Sequence, residues 1–350
     1  MPDVKRRVRR RRSARFRSGV TMTAPSRLRL VFFGMRCLPS LLALRALLAA
    51  EHDVRAVVMP GVPSGPAVMT IPPAPASPER GGSGRVVPLA PPLHTRAGQD
   101  WGPLRGARIA QDDLGGLARA AGIPGLTVAS LRHPAAVAAI AAHRPDAIGV
   151  ACFPMRLPRT IRNLPPLGCL NVHPSLLPVG RGPEPVFWTL RRGDAETGVT
   201  IHLMDAGFDT GPILAQERMA VPEGVGLPDL ERELAERGAR LLVRALAGLA
   251  AGEIVPVPQD DRRATLAPVP TAADFVVSTD QPARRAYTFV RGVAPLGEPI
   301  EVVVATGERI RVRDAVAYEP EGVLERPFVR DGRTLTVQFS PGVVRFAMNN

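Results

Sequence analysis

Arg29-Leu30-Val31-Phe32-Phe33-Gly34 opens the folded part of this chain: an apolar run that halts at a glycine. A continuous apolar run of this length, ending in a turn residue, is how a strand buried on both faces enters a tight turn. Working outward, residues 38–50 are rich in leucine and alanine and long enough for a helix. Residues 54–59 form the next apolar run, stopped by Pro60 and Gly61. Strand, helix and strand in this order make a βαβ unit. The turn carries no G-x-G-x-x-G pattern, so nothing in it indicates a dinucleotide site.

The alternation continues. Residues 113–121 and 134–143 read as helices, and residues 127–128, 147–151, 170–172 and 199–204 as strands. This predicts an α/β fold, a mostly parallel sheet with helices on both faces, whose active site gathers at the C-terminal strand ends. A long helix over residues 227–252 follows from Leu230, Leu234, Leu241, Leu242, Ala245 and Leu249 at helical spacing, closed by Gly252. Composition changes near Val257, and residues 258–274, rich in Pro, Asp and Arg, read as a linker. Beyond a segment at 276–291, short apolar runs at 300–305, 309–316, 323–327, 334–339 and 343–346 are separated by Gly or Pro turns. That spacing predicts a small C-terminal β-barrel over residues 275–350.

The 350-residue chain carries a net charge of +13, much of it in the first 21 residues, where nine cations face Asp3 alone. Such a block repels itself, and residues 1–27 read as a disordered basic extension. It is either an arm that grips phosphates or an upstream extension, since Met22 stands just before the first strand. Many of the 38 prolines fall between residues 62 and 103, which predicts a long irregular segment. No apolar run approaches the roughly 20 residues needed to span a bilayer, and no apolar stretch follows the basic head as in a secretory signal. Cys37, Cys152 and Cys169 show no pairing pattern and read as reduced core residues. Together these predict a soluble, cytoplasmic protein without a membrane partner.

Two pieces carry chemistry. Asn171-Val172-His173-Pro174-Ser175-Leu176-Leu177-Pro178, followed by Arg181-Gly182, begins where an apolar strand ends. Asn171 and His173 are two apart, so an extended backbone points both to one side, where an amide and an imidazole can embrace one oxyanion. Met204-Asp205-Ala206-Gly207-Phe208-Asp209-Thr210-Gly211-Pro212 also follows an apolar strand and offers two carboxylates in a glycine turn. If the two strands are neighbours, one carboxylate can approach His173. His52, His94, His133, His143 and His202 form no ligand cluster with the cysteines, so no metal is expected.

Together, the Asn-x-His-x-Ser-Leu-Leu-Pro loop and the later Asp-Thr-Gly turn resemble the folate-dependent formyltransferase family. The resemblance extends to Gly198–Asp205, to Pro256-Val257-Pro258-Gln259-Asp260 and to the opening strand, and spans roughly residues 28–350. It implies a Rossmann-like catalytic domain over residues 28–257. It implies 10-formyltetrahydrofolate as co-substrate, and Asn171, His173 and Asp209 as the catalytic set: two donors to a tetrahedral oxyanion and an orienting group or base. It places the pterin against Met155, Arg156 and Leu157 and the turn Asp205, Ala206, Gly207 and Phe208. It makes Ser175, Leu176, Leu177, Pro178, Arg181 and Gly182 the substrate loop. The C-terminal β-rich tail is similar to that of the members acting on methionyl-tRNA in translation initiation. The turn Gly34-Met35-Arg36-Cys37 departs from theirs, and residues 62–103, with Arg80, Arg85 and Arg96 as their cations, replace a basic insertion. An amino-sugar nucleotide, another small amine or water therefore stand as alternative acceptors. A nucleic-acid-binding relative without catalysis stands as the reading from another class.

Overall fold

The structure, a computed structural model, describes residues 27–62, 64–73 and 114–348. The basic arm and most of the proline-rich stretch, with Arg80, Arg85, His94 and Arg96, lie outside the described residues. Strand β1 (Arg29–Phe33), helix α1 (Leu38–Ala49) and strand β2 (Asp53–Pro60) form the expected βαβ unit, with β1 and β2 paired in parallel. Strand β3 (Val68–Ile71) lies within the stretch expected to be irregular. There follow helix α2 (Leu114–Ala120), strand β4 (Gly125–Val128), helix α3 (Pro134–Ala141) and strand β5 (Ala147–Ala151). The short helix α4 (Arg159–Arg162) and strand β6 (Cys169–His173) come next. Helix α5 (Pro185–Arg192), strands β7 (Glu196–Leu203) and β8 (Ile213–Ala220), and helix α6 (Leu227–Ala250) complete this part.

Eight strands form one sheet in the order β3-β4-β2-β1-β5-β6-β7-β8. The run from β4 to β6 is parallel, whereas β3, β7 and β8 join antiparallel at the two edges. Alternation along β1 explains why both faces need cover. Leu30 and Phe32 enter one core with Leu44, Leu47, Leu242 and Leu246, while Val31 and Phe33 enter another with Val58, Ile140, Ile148 and Ile161. Strand order reverses between β2-β1 and β5-β6, so the turns after β1, β5 and β6 open at one sheet edge, where α/β sheets bind ligands.

The C-terminal residues differ from the expected ring. Strand β9 (Val276–Ser278), helix α7 (Ala283–Val293), strand β10 (Ile300–Val303) and strand β11 (Arg309–Val312) precede strand β12 (Asp314–Glu319). Strands β13 (Phe328–Asp331), β14 (Thr334–Gln338) and β15 (Val343–Ala347) follow. They form a three-stranded sheet β11-β10-β9 and a four-stranded sheet β12-β15-β14-β13, with no closed barrel among the described residues. Helix α7 supplies the reason: its Ala286, Phe289, Val290 and Val293 share one core with Val277 and Val302 of the first sheet and Leu335 and Val344 of the second. Residues 323–327, expected as a strand, lie outside any strand, and Phe328–Asp331 pairs in their place.

Helix α6 approaches the sheet closely at Gly238, where an added Cβ would lie 2.6 Å from Val172 Cγ1 on β6. Overpacking of this kind costs about 1–3 kcal/mol. Gly238→Val should therefore lower the unfolding free energy by that amount, read as a fall in the urea midpoint, and loosen β6; an unchanged midpoint would show that the contact can relax freely.

Candidate active site

Strand β6 carries Asn171 and His173, and β7 runs antiparallel beside it with Asn171 opposite His202 and His173 opposite Thr200. The Asn171 carboxamide nitrogen lies 3.1 Å from His202 Nε2, and His202 Nδ1 donates to the Leu203 carbonyl at 3.1 Å. Because that carbonyl takes the Nδ1 proton, Nε2 is the nitrogen that accepts from the Asn171 amide. His173 is buried, and its Nε2–H donates to the Gly180 carbonyl at 2.8 Å. Its Nδ1 faces Asp209 Oδ2 at 3.7 Å. Burial pulls the His173 imidazole below its ordinary value, while Asp209 pulls it upward. Loss of hydration is the larger effect, so at neutral pH the ring is neutral with its Nδ1 lone pair toward Asp209.

Asp209 takes a left-handed backbone, φ 53°, one of the few non-glycine residues here to do so. Its Oδ2 accepts the Gly182 N–H at 2.9 Å, and its Oδ1 lies 3.6 Å from His202 Nε2. Burial alone would raise this carboxyl. His173, His202 and the Gly182 N–H together overcome that and hold it well below the usual carboxylate range. Gln259 fixes the turn from outside, its side-chain amide donating to the carbonyls of Asp209 and Gly211, each at 2.7 Å. Gly211 is required there, since a Cβ would lie 1.7 Å from the Leu203 carbonyl oxygen.

The residues expected to meet a pterin are brought to one place in part. Asp205 Oδ1 accepts from the Gly207 N–H at 3.0 Å and the Thr210 hydroxyl at 2.6 Å, which shapes the turn. Phe208 stands 64% exposed. The Arg156 guanidinium donates to the Ala206 carbonyl and lies 4.7 Å from the Phe208 ring centroid. Leu157 instead is buried in the core beneath, and Met155 packs against that core.

The loop after His173 is held from several sides. Thr200 Oγ1 donates to the Ser175 carbonyl at 2.6 Å and accepts the Leu177 N–H at 3.1 Å. The Ser175 hydroxyl donates to the Val179 carbonyl at 2.6 Å, so it fixes the loop. Leu177 is buried, Leu176 packs against Gly198, and the Leu177–Pro178 peptide is cis. Arg181 turns inward: its guanidinium donates to Gln259 Oε1 at 2.8 and 3.1 Å and to Asp261 at 2.7 Å. The segment read as a linker lies along this loop. The Arg181 N–H donates to the Thr265 carbonyl at 2.9 Å, and the Ala267 N–H donates to the Arg181 carbonyl at 2.7 Å. At Gly182, φ 126°, a Cβ would lie 2.6 Å from the Ala267 carbonyl oxygen. Sequence reasoning passed over His202, Thr200 and Gln259. The first two stand in the quoted Gly198–Asp205 run and the third in Pro256–Asp260, but only the β6–β7 register and the return of the strap show what they touch. Among the described residues, no group of three or more His, Cys, Asp or Glu side chains could hold a metal ion.

A family model described as formyl transferase matches residues 106–246. The methionyl-tRNA formyltransferase of Roseiflexus sp. (strain RS-1) is 43% identical over 211 residues, 58% of this chain and 64% of that protein. That of Synechococcus sp. (strain JA-3-3Ab) is 42% identical over 193 residues, 55% of this chain and 60% of that protein. The match thus spans less than two thirds of the length of these two relatives. A longer match joins the chain to the methionyl-tRNA formyltransferase of Nitrobacter hamburgensis, 35% identical over 253 residues, 72% of this chain and 81% of that protein. Among solved structures, an N-formyltransferase from Helicobacter canadensis in complex with folinic acid and dTDP-3-aminofucose is similar with a TM-score of 0.61. It is 12% identical and covers 92% of this chain and 100% of that one, a likeness of fold alone. With loop, turn and strap in place, and with 35% identity along 81% of a relative, this chain belongs to the methionyl-tRNA formyltransferase family.

Proposed function

We propose that this protein transfers a formyl group from 10-formyltetrahydrofolate to the amine of methionyl-tRNA in the cytoplasm. One observation carries the reading: Asn171 and His173 on β6 and Asp209 in the turn after β7 meet at strand ends, with His173 Nδ1 3.7 Å from Asp209 Oδ2. The folate supplies the activated formyl carbon. Asn171 then donates to the oxyanion that develops there, a preorganised contact worth about 2.7–4 kcal/mol. His173 accepts at Nδ1 the proton that the attacking nitrogen sheds, and returns it to the leaving nitrogen of the folate. While charged, that Nδ1–H is a second donor to the oxyanion, and Asp209 stabilises the imidazolium. The Arg156 side chain over Phe208, beside the Ala206 carbonyl, supports Met155, Arg156 and Asp205–Phe208 as the pterin shelf, with Leu157 in the core beneath it.

The same proposal divides the chain into an extension to residue 27, a catalytic domain over 28–257, a linker over 258–274 and a C-terminal domain over 275–350. The two C-terminal sheets sharing one core with α7 support an open, barrel-like module there. Methionyl-tRNA as acceptor is supported by the names of the relatives and by the net positive charge.

His173→Ala should reduce formyl transfer by about 100- to 10,000-fold with an unchanged melting temperature; full activity in that variant removes the mechanism. In the wild type, activity should rise with pH through the depressed His173 value, below the ordinary 6.5, and then level off. Asp209 raises that value, so Asp209→Asn should move the acid limb to lower pH while lowering the rate. A limb that stays in place would mean that another group titrates. For the acceptor, KM for methionyl-tRNA should climb steeply with salt, since phosphate contacts release counterions. A salt-independent KM points to a small amine.

A further inference from the structure

Of the three cysteines expected in the core, only Cys169 is buried; Cys37 is half-buried and Cys152 exposed. The structure brings these two together at the sheet edge where the turns after β1 and β5 open. Phe33 of β1 pairs with Val150 of β5, and each cysteine lies just past its strand end. Ser40 Oγ joins them. It donates to the Ala151 carbonyl at 2.8 Å, accepts the Met35 N–H at 3.1 Å and lies 3.3 Å from Cys37 Sγ. Cys152 follows that carbonyl directly, so the Cys37 sulfur and the Cys152 backbone meet across one oxygen atom. A hydrogen bond between the two thiols completes the contact.

The two sulfurs are unlike. The bond from Cys152 lowers the Cys37 thiol, and the same bond raises that of Cys152. Cys37 is also the N-cap of α1, where free helix N–H groups favour a thiolate. Cys152 takes a left-handed backbone, φ 50°, of the kind that proteins keep where function requires it. Its place matters to the site. Ala151 pairs with Val172, so Cys152 stands level with His173 on the neighbouring strand. From Cys152 the chain runs into Phe153, whose ring lies 5.1 Å from that of Phe33, and then into Met155 and Arg156.

We propose that Cys37 and Cys152 are an oxidisable pair that forms a disulfide with hydroperoxides and so disables the folate side of the cleft. The covalent step stands on the thiol geometry; its effect on folate rests on the function proposed above. The Cys37 thiolate attacks one peroxide oxygen, and the O–O bond breaks. A sulfenic acid forms, and the departing hydroxide takes up the proton that Cys37 had lost. The Cys152 sulfur then attacks the Cys37 sulfur, the S–O bond breaks, and the oxygen leaves as water with the Cys152 proton. Two thiols lose two electrons, and one hydrogen peroxide becomes two waters. Closing from contact to bond draws the start of residues 152–156 toward α1, which shifts Met155 and Arg156 relative to Phe208.

For the test, the reduced full chain is treated with hydrogen peroxide, and the remaining thiols are alkylated and located by peptide mass. Cys37 and Cys152 should appear as one linked peptide pair. Cys169, which burial pushes up to about 12, should be alkylated only after unfolding. The oxidised chain should bind folinic acid at least about 10-fold more weakly, the worth of one charged hydrogen bond, and dithiothreitol should restore the affinity. Cys37→Ser should bind folinic acid as the wild type does, before and after peroxide. Loss of binding in that variant too would trace the effect to another residue, such as Met155, and overturn the proposal. Cys37 and Cys152 both still alkylated, or linked to other chains, overturns the pair, and a disulfide that leaves folinic acid binding unchanged overturns its effect. A reduced chain that binds no folinic acid yet forms the disulfide would sink the proposed function and leave the pair standing.

Discussion

Asp209 is placed where burial should neutralise it, and three neighbours hold it: the Gly182 N–H that donates to it, and the imidazoles of His173 and His202 that flank it at 3.7 and 3.6 Å. Each comes from a different stretch, so one buried anion ties the loop after β6 to β7 and to the turn before β8. A carboxylate in such a place is stable only while those partners are kept in position. That demand explains the left-handed backbone at Asp209 and the glycines at 182 and 211, whose Cβ atoms would collide with main-chain oxygens.

The segment from Val257 to Ala267 meets the demand from outside. It pairs with Ile213 and with Arg181 through isolated bridges and sends in Gln259, which bonds the Asp209 and Gly211 carbonyls. Arg181 holds Gln259 with a forked pair of hydrogen bonds and reaches Asp261 with the same guanidinium. A side chain that looks in sequence like an anion-binding arginine is occupied in fastening the strap. The strap leads directly to the C-terminal sheets.

The sheet was legible early because Leu30–Phe33, Val54–Met59 and Ala147–Ala151 are apolar on both faces, and only central parallel strands bury both. The Asn171–His173 pair and the Asp209 turn were legible as chemistry because spacing along a strand fixes which side chains share a side. What stayed hidden were contacts between segments distant in the chain. β7 runs antiparallel, which puts His202 opposite Asn171; α7 stands between the C-terminal sheets and leaves them unclosed; and the strap folds back on Arg181. By itself, then, the sequence determined the central parallel strands, the layers around them and which polar residues stand at two of the strand ends, since periodicity and turn chemistry are local. Which nitrogen faces which oxygen, and which charges remain unpaired, only the tertiary structure decided, because hydration and electrostatic balance depend on neighbours that the chain supplies from far away.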